Sequence, residues 1–498
     1  MAGSVAVIGA GPGGLATARW LLSQGFEPTI FDQAPVLGGQ WTGPSWSHWC
    51  LADHAHQHQS RPDRFRRPRA RDRQGVPVRP RHPRLPGSLC RHVRTRVAHP
   101  VRHAGRAPQQ IGHRLAGASL RHDRALRQGR GGNRQVPVPA IPAVPGLDTF
   151  SGSAGVISTC QYRDPAPYFG RRVLVAGGAI SALEIAAELA QFGAARVVVT
   201  QRRQRYVLPK FAAGVPSDHR IFTRYGAIAN EHLPAPEIDR QLEEIVVEAG
   251  GSPEQYGAPA PDPSLFAAGV TLSQQYLPLV AEGLITVRPW QAAITNTAVT
   301  FSDGGAEEFD GVVFGTGFDL NLPFLSHLDA VHMDADRYTF HPDLPGLAFV
   351  GMWDQSGGYF VPLELQARWI AYTWGGAISP MSAAAQRSSI DAYRLRRGSP
   401  QKTRMNLVAL AFAGAAGVEP RLENWPHLRR ALLFGPLAPS CFRLEGPDAL
   451  ADAPARFARD AAAFGAITSN ELTEREEMYW SMITGATPTE LSSGDRSS

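Results

Sequence analysis

The spacing of apolar residues along the chain changes character several times. The first run, Val5-Ala6-Val7-Ile8, has strand length and enters Gly9-Ala10-Gly11-Pro12-Gly13-Gly14. Helical spacing follows over 15–24, and a second strand, Pro28-Thr29-Ile30-Phe31, ends on Asp32. The same order returns later. The strand Arg172-Val173-Leu174-Val175-Ala176 leads into Gly177-Gly178-Ala179-Ile180-Ser181-Ala182, then a helix over 183–192 and the strand Val197-Val198-Val199-Thr200. Short apolar runs alternating with helical stretches predict an α/β fold built on parallel sheets. Beyond Gly376 the spacing is helical over 405–416, 425–433 and 451–464, and its Ala and Leu content predicts a packing layer. The Pro-rich passage 258–263 predicts a surface loop.

From 52 to 135 no stretch sustains a two-residue or a 3.6-residue apolar repeat, so irregular chain is expected there. Those 84 residues hold 21 Arg, 9 of the chain's 16 His and 4 Asp, with no Glu, Lys, Tyr or Trp. Their formal charge is +17 in a chain of +6, so all other residues together carry −11. The basic balance therefore belongs to one segment. Three readings compete for it: a basic arm for nucleic acid, a disordered Arg/Pro-rich linker, and a stretch read out of frame. In a plus-one reading, His54-Ala55-His56-Gln57-His58-Gln59-Ser60 can encode Met-Arg-Thr-Asn-Thr-Ser. Likewise 85–96 can encode Tyr-Leu-Ala-Arg-Tyr-Ala-Asp-Thr-Phe-Gly-Leu, and 127–137 can encode Asp-Lys-Val-Val-Val-Ala-Thr-Gly-Arg-Tyr. His54, His56 and His58 would share one side of a strand, but no acid or cysteine completes a site, so no metal is expected.

The glycine turns carry the chemistry. In G-x-G-x-x-G between strand and helix, Gly9 makes the tight turn and Gly11 lets backbone approach a pyrophosphate. Gly14 lets the helix pack on the strand, and Asp32, 23 residues after Gly9, reaches a ribose hydroxyl. In the second turn Ala179 and Ala182 stand where the later glycines would be, while Gly177, Gly178 and Ser181 keep the nucleotide-binding pattern. Its strand ends in Gln201-Arg202-Arg203 instead of an acid, and guanidinium groups there suit a ribose 2′-phosphate.

Together with Gly38-Gly39-Gln40-Trp41, the strand Phe309-Asp310-Gly311-Val312-Val313-Phe314-Gly315-Thr316-Gly317-Phe318, Pro345-Gly346-Leu347-Ala348-Phe349-Val350-Gly351 and Glu364-Leu365-Gln366-Ala367-Arg368, the chain resembles the flavin-containing monooxygenases. The resemblance covers 1–50 and about 138–380, and the three plus-one strings are what that family would place in the gap. It implies two Rossmann-like dinucleotide-binding domains, an FAD domain with an inserted NADPH domain, and a helical C-terminal tail. The division expected is 1–165 for the first part of the FAD domain (52–136 irregular), 166–309 for the NADPH domain, 310–380 for the FAD-domain return and 381–498 for the helical region.

The cofactors implied are FAD, held by Gly9, Gly11, Gly14, Asp32, Gly39, Gln40 and Trp41, and NADPH, held by Gly177, Gly178, Ser181, Arg202 and Arg203. Thr316 and Gly317 belong to the same set. The implied reaction inserts one oxygen of O2 into an amine or sulfide through a flavin hydroperoxide. One departure bears on coupling. In the family's F-x-G-x-x-x-H-x-x-x-(Y/F)-(K/R) pattern, Phe150 and Gly152 open and Tyr162-Arg163 close, with two extra residues and Ser158 where His belongs. The Tyr-Arg ending resembles that of heteroatom oxygenators. No residue stands out as a catalytic acid or base, and Gln57 occupies the place of the family's flavin-side Asn. The alternatives are a decayed or uncoupled flavoprotein that binds nucleotide without oxygenating, or an Arg-rich nucleic-acid binder. No leader or membrane anchor is expected. Cys50, Cys90, Cys160 and Cys441 form no CxxC pair, which suits a cytoplasmic protein.

Overall fold

A computed structural model of the chain describes residues 3–32, 37–39, 94–97, 114–119, 139–318, 325, 328, 334–397 and 403–485. Two parallel sheets organise it. In chain order their strands are β1 (Ser4–Ile8), β2 (Glu27–Asp32), β3 (Arg94–Val97), β4 (Arg114–Ser119) and β5 (Gly155–Ser158). Then follow β6 (Arg172–Ala176), β7 (Arg196–Gln201), β8 (Ile285–Pro289), β9 (Gly311–Phe314) and β10 (Leu347–Val350). Three helices position the site: α1 (Pro12–Ser23), α2 (Ile180–Gln191) and α3 (Phe360–Gly375).

The first sheet has the order β10-β4-β1-β2-β3 and the second β8-β7-β6-β9-β5, with every pairing parallel. Central strands of such sheets are covered on both faces, which is why Val173, Leu174, Val175, Val197, Val198 and Val199 are buried in continuous runs. Helix α1 follows β1, α3 follows β10, and the two pack together on the first sheet, with Trp20 meeting Tyr372 edge-on at 5.9 Å.

The structure corrects two expectations. Within the Arg-rich segment, β3 and β4 are strands where irregular chain was expected. The slot between β1 and β10 leaves main-chain donors and acceptors on both sides in need of partners, and β4 fills it, pairing Val5 with Arg114 and Leu347 with Leu115. Its sequence, Arg-Leu-Ala-Gly-Ala-Ser, alternates nothing, so pattern alone could not find it. The rest of 52–136, including the histidine triplet and Gln57, lies outside the described residues. The second correction concerns boundaries. β5 and β9, expected with the FAD domain, pair with each other, and β9 also pairs with β6, so both belong to the second sheet. The chain crosses between sheets at one seam, where Pro139 bridges Phe318 and Ala140 N–H donates to the Gly317 carbonyl at 2.9 Å.

The C-terminal region is helical at Met405–Ala415, Arg429–Phe434 and Ala453–Ala462, close to the three expected spans, and also at Glu474–Thr484, where no helical spacing was noted. It is a packing layer: Phe412, Leu432, Phe442 and Phe457 share one core with Leu21, Ile30 and Trp369. An excursion from the second half, 206–272, joins the same core through Ile238, Leu242 and Val246. Hydrogen bonds tie it there, as Asn406 Nδ2 donates to the Thr223 carbonyl at 2.9 Å. The Pro-rich passage is a loop, as expected. Among the described residues no helix is long and apolar enough to cross a membrane.

Candidate cofactor sites

Each sheet carries a glycine turn at the carboxyl end of a strand beside which the strand order reverses. The chain runs from β1 to β2 on one side while β4 flanks β1 on the other; likewise from β6 to β7, with β9 opposite. Open parallel sheets bind ligands in the crevice at such switch points. The first turn is held by Gly9 N–H donating to the Phe31 carbonyl at 2.7 Å, with Gly9 at φ 102°. A methyl on Gly14 would collide with the Gly9 carbonyl oxygen, so only glycine lets α1 start this close to β1. No side chain caps α1 at Gly11, leaving first-turn N–H groups and the positive end of the helix for an anion. Asp32, last residue of β2, accepts from Ala10 N–H at 2.5 Å and is thereby fixed at the rim of the turn. Gly38 and Gly39 fold back over it in left-handed conformations, Gly38 N–H donating to the Ala10 carbonyl at 2.8 Å. Gln40 and Trp41 lie outside the described residues.

The second turn repeats this geometry. Gly177 N–H donates to the Thr200 carbonyl at 2.8 Å, with Gly177 at φ 137°. Ala179 has φ −101° and ψ 168°, Gly11 φ −71° and ψ 179°; both are extended backbone that any residue adopts. Backbone conformation alone therefore does not demand glycine at position 179. Ala182 is accommodated from across the sheet. A methyl on Gly315 would lie 2.7 Å from Ala182 Cβ, so the glycine of this close approach has moved from the helix to β9's end. Ser181 sits in the first turn of α2, half-buried.

Gln201, the last residue of β7, stands where Asp32 stands in the first half. Its side chain hydrogen-bonds Gln204 and lies against Gly178, where a methyl would strike its Oε1. Arg202 and Arg203 follow, both exposed. Arg202 lies over the Trp290 ring at 6.0 Å, and Arg203 donates to the Ala267 carbonyl at 2.7 Å. Arg205 completes a cationic rim; burial, then repulsion from Arg203, pushes its pKa down. Sequence reasoning placed Gln201 at this strand end but gave no role to Arg205 or Gly315. The offset from Gly177 to Gln201 is close to that from Gly9 to Asp32 and could have marked Gln201 as the counterpart of Asp32.

Thr316 and Gly317 are placed at the seam. Thr316 donates its hydroxyl to the Ala140 carbonyl at 2.8 Å, and Gly317 adopts φ 92°. Gln366, fully buried on α3, clamps the end of β10: it accepts from Gly351 N–H at 2.9 Å and donates to Thr339 Oγ1 at 2.6 Å and the Phe349 carbonyl at 3.0 Å. Ser158 is buried at the end of β5, its N–H on Gln161 Oε1 at 2.9 Å and its hydroxyl 2.7 Å from Cys160 Sγ. Tyr162 donates to Glu188 Oε2 at 2.8 Å; burial, then that hydrogen bond, raises its pKa far above a free phenol's. It anchors the linker to α2. Arg163 turns back onto the Cys160 and Tyr162 carbonyls.

Comparison with known proteins places the chain in a family. The description "Flavin-binding monooxygenase-like" matches residues 131–462, and "NAD(P)-binding Rossmann-like domain" matches 7–69. Dimethylaniline monooxygenase (N-oxide-forming) 2 of Rattus norvegicus is 28% identical over 336 residues, which is 64% of this chain and 62% of that protein. Flavin-containing monooxygenase 3 of Macaca mulatta is 25% identical over 512 residues, covering 90% of each. Among solved structures, ε-caprolactone-bound cyclohexanone monooxygenase superposes with a TM-score of 0.52 at 16% identity, over 84% of this chain and 98% of that one, a likeness of fold. The chain belongs to the flavin-binding monooxygenase-like family. That family is a class of FAD- and NADPH-dependent enzymes.

Proposed function

We propose that this chain is an NADPH-dependent flavin monooxygenase that transfers one atom of O2 to a soft nucleophile, an amine or a sulfide. The observation that carries the reading is the pair of turns closed by the same hydrogen bond, with opposite charge at the second strand's tip. Asp32 suits ribose hydroxyls; Arg202 and Arg203 beside neutral Gln201 suit a 2′-phosphate. On this reading Gly9, Gly11, Gly14, Asp32 and Gly39 hold FAD, with Gln40 and Trp41 in the same turn. Gly177, Gly178, Ser181, Arg202 and Arg203 hold NADPH, and Thr316 and Gly317 set the seam between the two. The nicotinamide domain is then 139–318, with the FAD domain on either side and the helical region from 381. The uncapped helix starts of α1 and α2 take the two diphosphates, and Gln366 fixes the strand end that faces the flavin. Bound FAD supplies the hydride acceptor and the O2 chemistry. An amine substrate is supported by the N-oxide-forming activity named for the rat relative.

A second reading, an uncoupled flavoprotein, is favoured by Ser158. Its N–H and hydroxyl are taken up by Gln161 and Cys160, and it brings no imidazole to the linker. The test is the full chain with added FAD, NADPH and either N,N-dimethylaniline or thioanisole, compared with a chain carrying the plus-one reading between 51 and 138. Product equal to the NADPH consumed supports the oxygenase; hydrogen peroxide in its place supports the uncoupled reading. Absence of FAD-dependent NADPH consumption in both chains overturns both.

A further inference from the structure

The two arginines at the tip of β7 are held differently. Arg203 commits an N–H of its guanidinium to the Ala267 carbonyl at 2.7 Å. Arg202 makes no hydrogen bond and no ion pair among the described residues. What it touches is the Trp290 ring, with the guanidinium carbon 6.0 Å from the centroid, the outer reach of a cation–π contact. A ring face engages a guanidinium through its π system and leaves its N–H edge, with all five donors, open to another acceptor.

The indole is itself fixed relative to the second glycine turn. β8 pairs with β7 as far as Pro289 opposite Gln201, so Trp290 leaves the sheet beside Arg202. Its carbonyl accepts from Ser302 N–H at 2.9 Å. The next residue, Gln291, is buried and accepts from the Thr200 hydroxyl. Thr200 is also the residue whose carbonyl closes the turn on Gly177. Glycine turn, strand tip and indole therefore share one anchor. The ring is half-buried against the core that holds Ile294, Phe301 and Phe309, while Arg202 above it is exposed. Covering that core needs only an apolar side chain; holding a cation at the tip needs a π face.

We propose that Trp290 is a specificity-determining positioning residue: it holds the Arg202 guanidinium at the strand tip with its donors free, so that a ribose 2′-phosphate meets a cation already in place. The inference rests on the NADPH reading of this site and separates its arginines, since Trp290 presents Arg202 and not Arg203. The contact persists when phosphate binds, because face and edge of the guanidinium are different surfaces. Placing a long side chain beforehand removes the cost of ordering it on binding, and only a phosphorylated ribose gains from that. Calorimetric titration of the full chain compares adenosine 2′,5′-bisphosphate with 5′-AMP, which differ only in the 2′-phosphate. The unaltered chain prefers the bisphosphate. W290L keeps apolar cover over the core without a π face, and it loses about three- to tenfold of that preference while 5′-AMP affinity changes by less than about twofold. W290F, which keeps a ring, restores most of the preference. The W290L loss recurs in an R203Q background and vanishes in R202Q, the coupling expected of residues in contact. An equal loss for both ligands in W290L, a preference that W290L leaves intact, a W290F chain no more selective than W290L, or an undiminished W290L loss in R202Q overturns the proposal. Equal binding of the two ligands by the unaltered chain, or binding of neither, overturns the NADPH reading and this inference with it.

Discussion

The two glycine turns share a backbone and differ in two details, the residue that allows helix and strand to approach and the charge at the second strand's tip. In the first half the close approach is secured locally, by Gly14 against Gly9. In the second it is secured across the sheet, by Gly315 against Ala182. One geometry is thus reached by two placements of the same missing methyl group, and a motif read only along the chain sees one of them. The tips differ by intent of charge: Asp32 is pinned by Ala10, while Gln201 is neutral and precedes two exposed arginines. On the proposed function, backbone shape fits both turns to a nucleotide, and the tips decide which nucleotide each one takes.

Breaking the first approach has the largest expected effect. G14A drives a methyl into the Gly9 carbonyl oxygen, and we expect at least about a hundredfold loss of FAD affinity and about 3 kcal/mol of stability. Flavin fluorescence and thermal unfolding measure both; retention of FAD by G14A would mean the turn opens freely. Next is the charge at the second tip. R202E/R203S should weaken NADPH by about 10- to 100-fold while NADH changes little, since charged hydrogen bonds are worth about 1.5–3 kcal/mol. Equal losses for the two nucleotides, measured by titration, would reduce the arginines to surface charge. The smallest effect tests the cross-sheet placement itself. G315A should cost about 1–3 kcal/mol in urea unfolding, and A182G should restore most of it in the double variant. Additive losses would show that the two positions do not share one space.

Local patterns were legible in the sequence. Ser4–Ile8, Pro12–Ser23 and Glu27–Asp32 fall where strand, turn and helix spacing placed them, because each turn is specified by neighbours within a few residues. Long-range facts were not. Val312-Val313 reads as an apolar strand, but an apolar run does not say which sheet will take it, and it entered the second beside Val156-Ile157. β4 escaped notice because a strand between two partners is specified by the vacancy it fills more than by its own residues. Gly315 and Gln366 act on residues far away in sequence, and only pairing reveals what they touch. Ser158 was read as a departure from the linker pattern; only the structure shows that its N–H and hydroxyl are taken up by Gln161 and Cys160.

Because Pro139 and Phe318 are bridged, the half of the fold built on the second sheet leaves and rejoins its host through a single doorway. An insertion whose ends abut disturbs its host no more than a surface loop, and it is free to swing about that doorway as a panel swings on one hinge. The excursion 206–272 adds a latch on the far side, where Ile238, Leu242 and Val246 sit in the host's core. Any swing of the second half about that doorway would have to break this apolar packing, well away from either glycine turn.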